Sequence, residues 1–408
     1  MQSATLDAGR ADAERSPGPI HAAILLVTSG LTVLVTAILG PSLPAMQAHF
    51  QAVPGADYLV PLTMTTPMLM MAGLSIVAGA IADRFGRKRM LVTATTLYAA
   101  FGTAPMWLDS LPAIIGSRVA LGIMEAVLMT VSTTMIGDYF SGKQREKLMS
   151  LQTTVAAGSA FLLNNLGGMI AEHGWRAPYA VYAISLVLAP LMGIFLWEPK
   201  PRKDEAVVHG AQVAWRPGLL VFVCVLAALL GIVFLTLPVH FGYLFEAIGV
   251  RSPQQIGVAY GLNSLGVIAG TLVFGWILAP RLPVEFQLTV GCLVAGSGFV
   301  LMRPAGDFWA LVLAGALNGF GAGMLLPTMV TWCMRILPFR RRGVGTGAFQ
   351  SCLFLGMFSN PLIVVSLEKI FQGSRASGIA AMGAALACLG VAALLVGSGR
   401  RHRVSDAR

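Results

Sequence analysis

The chain has 408 residues, of which 56% are hydrophobic and only 11% are charged. Soluble domains carry about 25% charged residues, so a water-soluble fold of this composition could not cover its own surface. The same arithmetic excludes a disordered chain, a collagen-like repeat and a secreted disulfide scaffold. The net charge of +10, from 28 Lys and Arg against 18 Asp and Glu, would point to nucleic acid in a soluble protein; here its distribution has to decide.

A membrane-spanning helix needs roughly 20 predominantly apolar residues. Six such stretches fill the first half, at about 20–40, 58–82, 90–108, 112–139, 148–170 and 177–197. Six more follow at about 218–242, 256–280, 286–303, 308–334, 344–366 and 377–398. The first is too long for a signal-peptide core and lacks a cleavage site, so it reads as a span. Between the halves lies a polar, Pro-bounded stretch with Lys200, Arg202, Lys203, Asp204 and Glu205. The expected organisation is an all-α polytopic membrane protein: a first six-helix bundle over 1–198, a linker over 199–217 and a second bundle over 218–408. Two halves of six spans suit a central binding site between them.

Lys and Arg collect on the cytoplasmic side of a membrane protein. With the N-terminus inside, 22 of the 28 basic residues fall on inside segments and five outside (Arg176, Arg251, Arg303, Lys369 and Arg375), with Arg118 alone inside a span. This asymmetry predicts both termini in the cytoplasm. It also accounts for the positive charge by the bilayer rather than by nucleic acid. The five cysteines all lie in the second half without metal-ligand spacing, and the six histidines are scattered, so no metal or cofactor is expected.

After span 2 the sequence reads Gly79-Ala80-Ile81-Ala82-Asp83-Arg84-Phe85-Gly86-Arg87-Lys88-Arg89. Gly79 permits close helix approach, Gly86 permits a tight turn, and the basic residues hold the loop inside. Asp83 sits where the span leaves the membrane and needs a basic partner or a helix N-terminus. A plain basic loop explains the arginines but not the Gly–x3–Asp–Arg–x–Gly spacing. This segment resembles the loop 2–3 signature of the major facilitator superfamily. The resemblance implies two bundles that rock about a midplane site, with the loop as a latch. Gly79, Asp83, Arg84, Gly86 and Arg87 would then be gating residues. Asp83 would meet the start of span 11 near residues 341–347, and Arg87 would meet Asp138 at the end of span 4.

Charges are costly at the bilayer centre and tend to be functional or paired. Only span 4 carries them away from its ends, at Arg118 and Glu125. Seven residues is close to two helical turns, so both point the same way, about 10 Å apart along the axis. A direct contact would need both side chains stretched, or a water between them. The functional reading makes Glu125 the proton-binding group, because a carboxyl in a low-dielectric cavity can load and release a proton near neutral pH. Arg118 would tune it or hold an anionic substrate group. The structural reading is a pairing that orients span 4. Arg118 and Gly122 are similar to the Arg–x3–Gly signature of superfamily exporters. Arg118–Gly122–Glu125–Ala126 also resembles the span 4 pattern of spinster-type lipid transporters, which implies a proton-sensitive Arg and Glu facing the cavity.

Span 5 reads Leu163-Asn164-Asn165-Leu166-Gly167-Gly168 and keeps the glycine pair, but not the Gly-Pro, of the antiporter pattern. Asn164, Asn165 and, in span 10, Asn318 are candidate substrate contacts; buried amides must otherwise bond across helices. Asn263, Gln350 and Asn360 read as helix glue. His240, near the outer end of span 7, reads as interfacial. Four methionines beside Pro67 form either a deformable substrate wall or core filler.

No phosphate loop, zinc-protease motif or nucleophile elbow is visible. The expectation is therefore not an enzyme but a monomeric secondary transporter of a bacterial inner membrane. It would work by alternating access, most simply as a proton-coupled exporter of a small apolar or amphipathic molecule, with the bilayer and protons as further partners. The alternatives are organic-anion uptake anchored by Arg118, uniport, or a non-transporting membrane receptor on the same fold.

Overall fold

The computed structural model describes residues 17–199, 217–337 and 342–405. The described residues are mostly helical, joined by short turns, and contain no strand. The first bundle contains α1 (Pro19–Ile38), α2 (Ala56–Phe85), α3 (Arg87–Thr103), α4 (Leu111–Tyr139), α5 (Gly142–Ala171) and α6 (Ser185–Phe195). The second contains α7 (Pro217–Ala247), α8 (Pro253–Val273), α9 (Val284–Met302), α10 (Phe308–Ile336), α11 (Arg342–Ile370) and α12 (Arg375–Ser405). Ten helical segments are long and apolar enough to cross a membrane on length and composition, and α2 and α3 complete the twelve expected spans. In lipid every backbone polar group must be satisfied within the segment, which is why such a chain becomes helices. The predicted linker, 200–216, lies outside the described residues.

Several helices overrun the apolar stretches that mark them. α7 reaches Ala247 and α12 reaches Ser405, because hydropathy reports only the part of a helix inside the hydrocarbon. Span 6 begins as a 3-10 helix, Ala177–Ile184, with Pro178 in its first turn. Span 8 passes through a π-helical turn, Phe274–Leu278. α2 carries Pro61 and Pro67 in its interior. Around them the hydroxyls of Thr63 and Thr66 donate to the carbonyls of Val60 and Leu62, each at 2.6 Å.

The bundles meet chiefly where α2 packs on α11 and α5 on α8. Small residues make these crossings close. A Cβ on Gly168 would sit 2.8 Å from the Cα of Gly257. Within the first bundle, a Cβ on Gly122 would sit 2.6 Å from the Cα of Pro67, so α4 and α2 touch backbone to backbone. On the face opposite the termini, the carboxylate of Glu172 accepts from the Ser252 hydroxyl at 2.6 Å and from the Gln254 amide at 3.0 Å. That contact ties the end of α5 to the N-terminus of α8, where a negative charge is favoured. On the same face Tyr58 of α2 lies 3.4 Å from Ser366 of α11, with Lys369 over its ring.

Candidate functional site

Arg118 and Glu125 lie on the same buried side of α4, as their spacing predicts, and both have zero solvent exposure. They are not on an open cavity wall. Their surroundings are α3 and the 3-10 segment that leads into α6, inside the first bundle. One Nη of Arg118 donates to the carbonyls of Phe101 (2.7 Å) and Gly102 (2.9 Å) near the end of α3. The guanidinium carbon stacks over Tyr179 at 5.2 Å and Tyr182 at 5.4 Å. Carbonyl acceptors and two aromatic faces are what a planar cation finds in place of water. Gly102 has no side chain because Tyr182 occupies its place: a Cβ there would come within 2.5 Å of the Tyr182 ring.

Glu125 differs. Neither carboxylate oxygen has a hydrogen-bond partner among the described residues, and no ion pair joins it to Arg118. Arg118 acts on it at a distance, and the phenols of Tyr98 and Tyr182 lie within the same electrostatic range. Tyr98 itself is anchored, donating to the Leu31 carbonyl of α1 at 2.7 Å. An ionised carboxylate buried without partners costs several kcal/mol, and binding a proton removes that cost. The arrangement is a cation held on backbone carbonyls through one nitrogen, with Nη1 left without a partner among the described residues, beside an acid that has none.

The three asparagines are bonded to protein. Asn164 donates to Ser264 of α8 at 3.1 Å and so links the bundles. Asn165 donates to the Phe161 carbonyl of its own helix at 2.8 Å. Asn318 donates to the Ala295 carbonyl of α9 at 2.9 Å. Asn164 and Asn318 thus join neighbouring helices, while Asn165 bonds within its own and the Asn164 Oδ1 is left without a partner among the described residues. The span 2 methionines take the filler role: Met64, Met68 and Met71 are buried in the core.

The loop between α2 and α3 turns at Gly86, whose φ of +94° only glycine adopts without strain. Arg87 pairs with Asp138 at the end of α4, as expected. Arg84 is exposed, with its guanidinium 5.7 Å from the Phe85 ring. The side chain of Asp83 and residue 341 lie outside the described residues, as does the side-chain environment of Gly79. Glu198 accepts the backbone N–H groups of Arg87 (2.6 Å) and Lys88 (3.0 Å), capping α3.

The Major Facilitator Superfamily model matches residues 25–361, most of the chain. The chain belongs to the Major Facilitator Superfamily. Its relatives include the 3-(3-hydroxy-phenyl)propionate transporter of Escherichia coli (strain K12), 24% identical over 394 residues, covering 93% of this chain and 96% of that protein. The multidrug efflux protein YfmO of Bacillus subtilis (strain 168) is 24% identical over 370 residues, covering 90% of this chain and 89% of that protein. Among solved structures, a bacterial homologue of the human lysosomal transporter Spinster, in an inward-facing and occupied conformation, superposes with a TM-score of 0.72. It is 14% identical and covers 92% of this chain and 96% of that one. A D-xylose-proton symporter gives 0.70 at 15% identity, covering 90% and 96%.

As in the superfamily at large, the chain is a transporter and not an enzyme. Sequence reasoning found the Arg118/Glu125 position in this member but missed its aromatic lining. Tyr179 and Tyr182 follow Pro178 at an i, i+3 spacing on a segment that reads only as the start of a span. His240 is corrected outright: it is fully buried inside the second bundle, not interfacial, because α7 continues seven residues beyond it.

Proposed function

We propose that the protein is a proton-coupled exporter of a small apolar or amphipathic molecule, with Glu125 as its proton-binding group. The observation that carries this reading is the acid itself: fully buried, unpaired, and within electrostatic reach of a guanidinium that already has its own partners. Such a group changes charge without breaking an ion pair. A change of charge beside Arg118 alters the packing between α4, α3 and the segment that leads into α6. That is the kind of bistable element through which a proton can bias two conformations. Substrate would then bind in the cleft between the bundles, and its exit be coupled to proton entry through α4. Relatives named as multidrug efflux proteins support export. The distribution of basic residues supports a cytoplasmic location for both termini, and bacterial relatives support an inner membrane. The protein would act as a monomer, with each bundle one half of the machine. Arg87–Asp138 would brace the loop 2–3 latch on the cytoplasmic face, with Gly79, Asp83, Arg84 and Gly86 as its other parts.

The test is uphill export in energised inverted vesicles. Glu125→Gln should remain folded and inserted yet fail to concentrate substrate. A second reading, uptake of an organic anion, is favoured by the relative named as a 3-(3-hydroxy-phenyl)propionate transporter. It predicts that Arg118→Lys, which keeps the charge but loses the fork, weakens anion affinity. Unchanged affinity would count against it.

A further inference from the structure

On the face opposite the termini, the second bundle alone lines an open cavity of about 540 Å³. Its walls come from the end of α7, the α9–α10 connection and the turn between α11 and α12. Its lining includes apolar Ile248, Met302 and Leu311 together with Tyr243, Glu368 and Arg375. Glu246 and Arg303, of opposite sign, also line it. The turn that brings Arg375 back to Glu368 uses positive φ at Gln372 and Gly373. Nε of Arg375 donates to a Glu368 oxygen at 2.8 Å, and one Nη lies 2.7 Å from the same oxygen in an ion pair. The guanidinium lies 4.1 Å over the Tyr243 ring.

This leaves the other nitrogen, Nη1, buried and without a hydrogen-bond partner among the described residues. The Tyr243 hydroxyl is in the same state. Buried polar atoms are nearly always paired. Two exceptions among the residues that line one cavity point to a ligand, and Arg and Tyr together call for acceptor oxygens.

We propose that this cavity binds a small organic acid. Its carboxylate accepts from Nη1 of Arg375 and the hydroxyl of Tyr243, and its apolar body rests on Ile248, Met302 and Leu311. A guanidinium fork suits a carboxylate, and the volume is that of ordinary small-molecule sites. Both donor atoms are buried although their residues line the cavity, so on this proposal the Tyr243 ring turns aside as the acid enters, a side-chain change common on binding. The site is separate from the Arg118 cluster, which lies in the other bundle.

Thermal unfolding of the detergent-purified full chain tests it, with sodium benzoate as the probe at constant ionic strength and benzylamine as the control of opposite charge. Benzoate should raise Tm saturably and benzylamine should not. Arg375→Lys keeps a cation for Glu368 but lacks Nη1, and Tyr243→Phe lacks only the hydroxyl. Each should raise the half-saturating benzoate concentration by about tenfold. Ala376→Trp fills the cavity and should abolish the response. If that variant does not fold, Tyr243→Phe decides. The proposal is overturned by an absent response in the parent protein, by equal stabilisation with benzylamine, or by an unchanged half-saturation in Tyr243→Phe and Ala376→Trp.

Discussion

Each bundle buries one arginine against tyrosines, but the two treat the neighbouring acid in opposite ways. In the second bundle Arg375 stacks on Tyr243 and spends two nitrogens on Glu368, a pair whose side chains are 13% and 23% exposed. In the first bundle Arg118 stacks on Tyr179 and Tyr182 and spends one nitrogen on backbone carbonyls, leaving Glu125 with no partner. The difference teaches where charge is structural and where it is available. A carboxylate that holds a guanidinium is committed to that contact. One that holds nothing can exchange a proton while the fold keeps its anchors.

Substitutions can break this comparison. The largest effect is expected at Arg118→Lys. An ammonium cannot serve both carbonyls and stack on two rings, and hydrogen bonds from charged donors contribute about 1.5–3 kcal/mol each. A loss of roughly 3 kcal/mol in the stability of the detergent-purified protein is expected, read as a lowered Tm. Glu368→Gln should cost less, about 1–2 kcal/mol, because the amide keeps an acceptor for Arg375 while the charge is lost. Tyr98→Phe removes one neutral bond to Leu31 and should cost about 1 kcal/mol. Equal stability of the Arg118 and Tyr98 variants would contradict the weight given to the Arg118 anchors.

The smallest effect belongs to pH on the face opposite the termini. The Ser252 hydroxyl and the Gln254 amide hold the Glu172 carboxyl below the usual carboxylate range. A lowered value means that the contact is fully made above the free value of about 4.3. It is lost only as pH falls through the lowered value. Spin labels at His173→Cys and Gln255→Cys should therefore report one distance from pH 8 to pH 5 and a wider one only under stronger acid. Separation beginning near pH 6 would assign the change to another group.

Much of this was legible in the sequence. Twelve apolar stretches fix twelve helices because lipid leaves the backbone no alternative. The Arg87–Asp138 contact followed from the resemblance of the loop to the superfamily signature, not from the spacing alone. The common direction of Arg118 and Glu125 followed from helical periodicity alone. What could not be read was what that face meets. Gly102, Tyr179 and Tyr182 reach Arg118 only through the packing of three helical segments, and nothing local to α4 announces them. Asn164 and Asn318 look like ligands in a sequence of few polar residues, yet a helix neighbour supplies each with a partner. Arg375, counted in the sequence only as one of five basic residues outside, becomes a half-buried side chain because a turn through Gly373 returns it to Glu368.

The central claim is that Glu125 can change charge without breaking a hydrogen bond or an ion pair of its own. The most direct measurement pairs two readouts on Glu125→Gln: Tm in detergent, and substrate movement in vesicles with and without a proton gradient. The account predicts a Tm equal to or above that of the parent protein, intact downhill exchange of substrate, and no uphill export. A variant that still exports uphill at the parent rate would contradict it.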